Sequence, residues 1–372
     1  MFYLVTALCY LIFVAFFLVP LPIRRGFKLL LALLTAPIAF WGPLCGVLFA
    51  NRFSPEVPKA LIVLMGWGGF TLLLMVVTLL PVFLLLWGWR LLRRRRLRGP
   101  VDTAIRVVIA LAAALLSAHG VRQGIGQPQV KSVSLQLADL PPALDGLKVV
   151  QLSDIHISRM LTAEWARQMV AQVNALQPDL ILITGDSVDG SVAARAQAVS
   201  ELGALHARYG VFMAPGNHEY YYGLDGWMQQ FQSLGIHTLV NQHASVQING
   251  AELVLAGVAD PAALPRGLPG PDVTAALHDV APEAMVVLLR HRPIPPTALE
   301  QTRIDLQLSG HTHGGMVAGL KQIVAKANDG YVTGLYTLGP MQLYVNNGTG
   351  VWNGFPIRLG APAEITEFTL RR

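Results

Sequence analysis

The chain divides into two regions that differ in how apolar and polar positions follow one another. In the first third, three uncharged runs each exceed the roughly 20 apolar residues that cross a bilayer as a helix: 1–23, 29–51 and 60–89. A fourth apolar segment, 103–120, is shorter and has Arg106 near its start. The pattern predicts an all-α transmembrane region of about four helices over residues 1–120. The fourth segment is also compatible with a buried or interfacial helix, because short apolar runs are ambiguous.

Beyond residue 120 the apolar runs become short. Glycine, proline and polar residues over 121–129 predict a linker, and alternation over 130–137 predicts an opening strand. Five later runs predict buried parallel strands: 147–152, 180–183, 211–214, 285–289 and 305–308. Helical spacing is found over 162–176, and Asn249-Gly250 between two strand-like segments predicts a β-hairpin. Residues 130–372 are enough for one domain with its own core.

Metal-ligand side chains follow each of these five runs. They are Asp154 and His156, Asp186, Asn217, His291, and His311 with His313. In open α/β sheets, ligands bind at the carboxyl ends of the strands, so we expect these side chains to lie together. Carboxylate, amide and imidazole donors suit Mn, Fe or Zn. One bridging carboxylate can hold two such cations about 3.5–4 Å apart, and Asp186 is the candidate bridge.

These blocks resemble the calcineurin-like metallophosphoesterase superfamily, in particular its membrane-attached bacterial branch. The motifs D-x-H, G-D-x-x-D, G-N-H-[DE], H-x-P and G-H-x-H occur in the family's order within residues 130–372. The resemblance implies an α/β fold, a four-layer α/β/β/α sandwich with two mixed sheets. It also implies two divalent metal ions, which are Mn, Fe, Zn or a mixed pair, and a metal-bridging hydroxide as nucleophile. One metal would be bound by Asp154, His156, Asp186 and His313, and the other by Asp186, Asn217, His291 and His311.

The resemblance also implies roles for residues beside the ligands. His218 is the expected catalytic residue, acting as general acid or stabilising the leaving oxygen, and Asp189 is expected to orient neighbouring groups. Three arginines lie next to ligands and are either phosphate-binding or solvated: Arg159, Arg290 and Arg292. The aromatic residues after His218 either line a groove for an acyl chain or pack in the core: Tyr220, Tyr221, Tyr222 and Trp227.

Charge is distributed unevenly between the two regions. Residues 1–129 hold 13 Lys and Arg against two acidic residues, a net of +11, whereas residues 130–372 hold 15 against 20, a net of −5. The basic excess belongs to the membrane region, so nucleic acid is not an expected partner. Basic residues cluster at 24–28 and at 90–98, and positive loops stay in the cytoplasm. With four spans, a multi-pass bacterial membrane protein with an extracytoplasmic catalytic domain is predicted. With three spans the domain would be cytoplasmic.

The leading hypothesis is a membrane-anchored, dinuclear metal-dependent phosphoesterase that hydrolyses a phosphate ester or a pyrophosphate. Attachment to the membrane makes a lipid-linked substrate one alternative, and a soluble nucleotide or sugar phosphate is the other. A non-catalytic metal-binding membrane sensor or scaffold is a hypothesis of a different class. The complete ligand set and the presence of His218 favour the enzyme.

Overall fold

The computed structural model describes residues 2–49, 54–93 and 99–372. The chain forms two compact units. The first comprises Met1–Arg122 with Asn353–Ile357, and the second comprises Gln123–Trp352 with Arg358–Arg372. The domain limits expected from the sequence, 1–120, 121–129 and 130–372, stay a prediction.

The first unit consists of apolar helices, as the long uncharged runs predict. They are α1 (Phe2–Phe13), a π-helical turn (Val14–Leu18), α2 (Arg25–Ala39), α3 (Trp41–Phe49), α4 (Lys59–Arg93) and α5 (Gly99–Ile125). By length and composition, α4 and α5 are each able to cross a membrane, and α2 with α3 would make a third crossing if the pair is one span. The segment Asn353–Ile357 also belongs to this unit, where the Phe355 ring lies edge-on to Phe70 at 5.6 Å.

The predicted second span is broken in the structure. Its two helices, α2 and α3, are bent by 62° where they meet at Phe40. Pro37 lies inside α2 and Pro43 lies in the first turn of α3. Because proline has no N–H to donate and its ring clashes with the preceding turn, such residues bend or break a helix. The pair is therefore either one broken span or a re-entrant loop.

The fourth apolar segment forms α5 and accommodates its charge by pairing it internally. Arg106 is buried and donates from Nε and Nη2 to Oδ2 of Asp102, at 3.1 and 3.0 Å. Its guanidinium carbon lies 3.8 Å from the ring centroid of Phe83 on α4. This pairing lowers the cost of a charged group in an apolar helix. The arginines at 94–96 and 98, which carry part of the orientation argument, lie outside the described residues.

The second unit contains two six-stranded sheets. Their orders are β1-β12-β2-β3-β4-β5 and β10-β11-β9-β8-β7-β6. The strands are β1 (Gln129–Gln136), β2 (Lys148–Leu152), β3 (Leu180–Thr184), β4 (Val211–Ala214), β5 (His237–Thr238), β6 (Gln242–Ile248), β7 (Ala251–Gly257), β8 (Met285–Leu289), β9 (Leu306–Ser309), β10 (Gly334–Leu338), β11 (Met341–Val345) and β12 (Glu364–Arg371). Parallel and antiparallel pairs occur in both sheets. The expected α/β fold with two mixed sheets is confirmed.

The uniformly apolar strands are explained by burial on both faces. Along β7, Leu253 and Leu255 lie in a core shared with Leu182 and Phe212 of the other sheet. Val254, between them, packs in a separate core on the opposite face of its own sheet. Successive strand residues point to opposite faces, so a sheet covered on both sides needs apolar residues at every position. The shared core also shows that the two sheets stack against each other.

Short helices complete this unit. They are α6 (Ala163–Ala175), α7 (Val192–Val199), α8 (Asn217–Tyr221), α9 (Leu224–Ser233), α10 (Val273–Ala276), α11 (Ala298–Gln301) and α12 (Lys321–Lys326), with 3-10 turns at Pro142–Leu144, Ser200–Ala204, Pro261–Arg266 and His313–Gly315. The predicted helix over 162–176 is confirmed by α6. The predicted hairpin is also confirmed, since β6 pairs with β7 through Asn249 and Gly250, both with positive φ as a type I′ turn requires.

Candidate metal centre

The loops after β2, β3, β4, β8 and β9 bring the predicted ligand side chains together. The strands β2, β3 and β4 are parallel neighbours in one sheet, and β8 and β9 are parallel neighbours in the other. Asp186 Oδ2 lies 3.2 Å from His291 Nε2, which comes from the opposite sheet. Asp154 Oδ1 likewise lies 3.3 Å from His313 Nε2. The stacking of the two sheets therefore brings together residues that are more than 100 positions apart.

Six of the seven predicted ligands fall into two triads of donor atoms, and a further group joins His156 to Asp189 and His218. In each triad, one donor atom from every residue lies within 4.8 Å of the other two. The triads are Asp154 with His156 and His313, and Asp186 with His291 and His311. Asp186 Oδ2 also lies 4.0 Å from His156 Nε2 of the first triad. This places the Asp186 carboxylate between the two groups, where a bridging ligand would have to be.

Several buried polar atoms make no hydrogen bond within the part of the chain that the structure describes, although two of them have a polar ligand atom of another residue nearby. These atoms are Asp154 Oδ1, Asn217 Oδ1 and His291 Nε2. The other oxygen of Asp154 is satisfied, because it accepts hydrogen bonds from Ser153 Oγ at 2.6 Å and His311 N at 2.9 Å. A buried polar atom without a partner costs about 1–3 kcal/mol. The three unpartnered atoms therefore fit divalent cations, which bind oxygen and imidazole donors.

The electrostatics match the protonation states that metal ligation needs at three of the candidate ligands; at His291, burial lowers the pKa but Asp186 more than offsets it and raises the pKa to about 10. Burial and the neighbouring Arg358 lower the pKa of His313 well below its usual value. Burial and His291 do the same to the pKa of His311. Burial raises the pKa of Asp186, but His291 and His218 outweigh it and bring the pKa well below the usual value. Two neutral imidazoles and an ionised carboxylate result, and these are the forms that bind a metal.

The candidate ligands have an unusual backbone conformation. Five of them have φ in the left-handed region: Asp154 (50°), His156 (51°), Asp186 (53°), His311 (68°) and His313 (49°). Such angles are uncommon outside glycine and cost about 1–3 kcal/mol each unless the surroundings hold them. Here the loops hold one another, since Asp154 N donates to Gly185 O at 3.0 Å and His156 N donates to Asp186 O at 3.1 Å. The strain turns the side chains inward at the strand ends.

Two glycines allow the loops to approach closely. A Cβ on Gly216 would overlap Asp186 Oδ1, and a Cβ on Gly310 would overlap Ser153 Oγ and Asp154 Oδ2. Neither position is available to any other residue without displacing a candidate ligand. The glycines that open the G-N-H-[DE] and G-H-x-H motifs are therefore required by the packing of the site rather than by a turn.

His218 lies at the edge of the two triads. Its Nδ1 is 2.5 Å from Asp189 Oδ1, and its Nε2 is 3.7 Å from Asp186 Oδ2. Burial opposes the charged form of His218, but Asp186 and Asp189 more than offset it and raise the pKa to about 9. Asp189 Oδ1 also lies 3.1 Å from His156 Nδ1. The imidazole thus directs Nδ1 to Asp189 and Nε2 toward Asp186, and its catalytic role stays a prediction.

Two residues to which the sequence assigned no role support the site. Glu219 is fully buried and accepts backbone hydrogen bonds from Gly216 at 2.8 Å, Asp186 at 3.0 Å and Ser187 at 2.7 Å. The glutamate follows Gly216 by three residues, which is the spacing of a capping box and a signal that would have identified it.

Arg358 is the second such residue, and its side chain is fully buried. Its Nη2 donates to the carbonyl oxygens of Asn347 at 2.8 Å and Gly350 at 2.6 Å, and it lies 3.2 Å from His313 Nδ1. No local pattern could have shown this role, because the partners belong to separate segments.

Comparison with known proteins agrees with this description. Residues 147–315 match the family model of calcineurin-like phosphoesterases. A transmembrane protein with a metallophosphoesterase domain from Danio rerio is 34% identical over 275 residues, which cover 72% of this chain and 62% of the relative. A metallophosphoesterase of Campylobacter jejuni is 33% identical over 273 residues, which cover 72% of this chain and 71% of the relative. Among solved structures, a dimetal phosphatase from Danio rerio aligns with 55% of this chain and 88% of its own, with 12% identity and a TM-score of 0.35.

The fold and the site define a metal-dependent phosphoesterase domain of the α/β class. The chain belongs to the calcineurin-like metallophosphoesterase family, as the family match and the Campylobacter relative show. It joins this domain to a set of apolar helices, and a transmembrane protein is among its relatives.

Proposed function

We propose that the chain is a membrane-anchored hydrolase that cleaves a phosphate ester or a pyrophosphate with the help of two divalent cations, either Mn, Fe, Zn or a mixed pair. The observation that carries the proposal is the position of Asp186, whose Oδ2 lies 3.2 Å from His291 Nε2 of one triad and 4.0 Å from His156 Nε2 of the other. The proposed ligands are Asp154, His156, Asp186, Asn217, His291, His311 and His313.

The chemistry that two cations supply at such a site is acidification of water and neutralisation of charge on the phosphoryl group. The chain itself contributes the proton at His218. The Nδ1–H of this imidazole donates to the buried Asp189 carboxylate, so Nε2 faces the site and donates its proton to the departing oxygen. Asp189 keeps this orientation, and burial of the surrounding loops excludes bulk water from the reacting atoms.

The test is phosphate release by the purified full chain in detergent with Mn²⁺, using p-nitrophenyl phosphate and its diester as probes. Asp186→Asn should abolish turnover, and His218→Ala should lower kcat by about 10²-fold or more. Asp225→Asn and His206→Ala, at exposed positions, are matched controls and should retain wild-type kcat. A wild-type protein that binds Mn²⁺ but is as inactive as Asp186→Asn would instead be a metal-binding sensor or scaffold.

The proposed location is a bacterial membrane crossed several times, with the catalytic domain on the extracytoplasmic side. The candidate spans α4 and α5 and the basic residues Arg24, Arg25 and Lys28 support it. Whether α2 and α3 form one span or a re-entrant loop decides on which side of the membrane the catalytic domain lies. A re-entrant loop would reduce the number of crossings by one and leave the domain in the cytoplasm. Reporter fusions after Arg372 test this. Active alkaline phosphatase is expected, whereas a fluorescent green fluorescent protein fusion would place the domain inside.

A further inference from the structure

One surface of the phosphoesterase unit combines exposed apolar side chains with arginine. Tyr221, Leu264 and Leu268 are exposed by 48%, 62% and 38%. We call these residues, together with Arg266, the apolar strip. The other large apolar side chains that are exposed in the described part of this unit lie singly on separate elements. Single exposed apolar residues are ordinary, but a group of them beside a catalytic site indicates a binding surface.

The apolar strip begins next to His218. The ring centroids of His218 and Tyr221 are 5.2 Å apart, and the guanidinium carbon of Arg266 lies 4.9 Å from the Tyr221 ring centroid. Leu264 and Leu268 flank Arg266 in the chain. A ligand held at the metal site can therefore reach the Tyr221 ring and, beyond it, the Arg266 guanidinium.

The apolar strip is held rigidly by the residues beneath it. The 3-10 turn Pro261–Arg266 begins with a hydrogen bond from Ala262 N to Asp260 Oδ1 at 2.8 Å, and Arg266 Nη1 donates to Ala262 O at 2.9 Å. Ala262 and Ala263 pack in a buried cluster with Tyr220. The exposed side chains therefore project from a fixed base, and such preorganisation reduces the entropy lost on binding.

The aromatic residues that follow His218 divide between core and surface. Trp227 is fully buried and donates from Nε1 to Gly190 O at 3.1 Å, and Tyr220 is buried as well. Ordinary packing accounts for these two residues. Tyr221, in contrast, is about half exposed and faces His218, so an apolar groove here would have to include Tyr221 and not Trp227.

A second arginine lies on the same side of the site. Arg292 follows the candidate ligand His291, and its Nε donates to both oxygens of Asp260, at 2.9 and 3.3 Å. Asp260 is buried and cannot move away, and the Arg292 side chain remains 27% exposed. Both hydrogen bonds come from Nε, so the contact with Asp260 does not use the two terminal amino groups. Guanidinium groups in this arrangement bind phosphate oxygens in pairs.

We propose that the substrate is a lipid phosphate whose hydrocarbon chain binds along the apolar strip, with its anionic oxygens bound by Arg292 and Arg266. The inference rests on the phosphoesterase function proposed above and narrows its substrate to phosphate esters that carry an acyl or prenyl chain. Burial of Leu264 and Leu268 by such a chain gains about 25 cal/mol for each Å² of apolar surface removed from water. A nucleotide or a sugar phosphate has no hydrocarbon chain to cover the two leucines.

The test compares two probes on the full chain in detergent with Mn²⁺: dioctanoyl phosphatidic acid in mixed micelles and p-nitrophenyl phosphate in water. The double variant Leu264→Gln with Leu268→Gln should lower the ratio of kcat/KM for the lipid probe to kcat/KM for the soluble probe by about tenfold. Leu335→Gln is the matched control, since this leucine is 46% exposed on the edge strand β10. The control should leave the ratio at the wild-type value.

Each of the other possible results contradicts a specific part of the proposal. If the double variant keeps the wild-type ratio, or if Leu335→Gln lowers it equally, the apolar strip does not recognise the substrate. A wild-type protein that hydrolyses only the soluble probe contradicts the lipid phosphate but leaves the proposed phosphoesterase function intact. Inactivity toward both probes overturns this inference, and the diester probe of the earlier test then decides whether the proposed function falls with it.

Discussion

The Oδ1 atom of Asp189 lies 2.5 Å from Nδ1 of His218. The same oxygen lies 3.1 Å from Nδ1 of His156, a candidate metal ligand. One buried carboxylate therefore orients both the residue that we propose as proton donor and a residue that we propose as ligand. Groups that orient ligands in this way typically change metal affinity or activity by 10–100-fold when they are replaced.

Asp189→Asn should therefore reduce two properties at once. We expect the apparent affinity for Mn²⁺ and kcat at saturating Mn²⁺ each to fall by about 10-fold or more, because His156 and His218 lose the same partner. Metal titration followed by kcat measurement separates the two effects. Wild-type kcat at saturating Mn²⁺ would mean that Asp189 serves His156 alone. Asp225→Asn, an exposed aspartate of α9, provides the control.

Gly216→Ala should disable the site without a change in any ligand. The added Cβ would overlap Asp186 Oδ1, so the carboxylate must move. A displacement of about 1 Å at a catalytic group can cost 10²-fold in rate, and we expect kcat to fall by at least about that factor. Gly226→Ala in α9 adds the same methyl group where the nearest atom, Val192 Cγ2, is 3.4 Å away, and it should retain activity. Equal kcat for the two variants would contradict the close packing at Gly216.

Arg358→Lys should lower the free energy of unfolding of the second unit. The guanidinium is fully buried and donates to several carbonyl oxygens. The ammonium group of lysine has three donors in a different geometry, so it cannot replace all of these hydrogen bonds. Each carbonyl left without a partner costs about 1–3 kcal/mol, so we expect a loss of about 2–5 kcal/mol in chemical denaturation. Arg371→Lys, at an exposed position near the end of β12, should change stability by less than about 0.5 kcal/mol.

Metal removal should destabilise the protein. Asp154, Asp186 and Asp189 are buried together, and their negative charges repel one another unless cations are bound. At 100 times its dissociation constant, a bound metal contributes about 2.7 kcal/mol to the free energy of unfolding. Treatment with a chelator should therefore lower Tm, and Mn²⁺ should restore it. The change in Tm on adding Mn²⁺ should be smaller in Asp154→Asn than in the wild-type protein. If Mn²⁺ leaves the Tm of the wild-type protein unchanged, the buried metal site is ruled out.

The residues of the candidate site could be named from the sequence, because each one follows a short apolar run that ends in a loop. That signal is local: β3 begins with four consecutive apolar residues, three of the five residues of β2 are apolar, and Asp154 and Asp186 each lie two residues after the strand. The hairpin at Asn249 was predictable for the same reason, since a two-residue turn depends on neighbouring residues only.

Other features of the site depend on residues that are distant in the chain. The left-handed backbone at Asp154 and Asp186, and the contact of Arg358 with His313, have no local pattern because loops from separate strands impose them. The exposure of Leu264 is likewise a property of the folded surface. In the first unit, the bend of 62° between α2 and α3 was not expected from an uninterrupted apolar run, although Pro37 and Pro43 account for it.

The sequence alone determined the elements, the donor atoms and the apolar helices, because hydrophobic periodicity and side-chain chemistry are properties of short segments. Only the tertiary structure decided that Asp186 lies between two triads, that Asp189 is shared by His156 and His218, and that Arg292 is held by Asp260. The first of these relationships arises where the two sheets stack, and the stacking is set by a core to which strands of both sheets contribute. The other two arise between loops that follow neighbouring strands of one sheet.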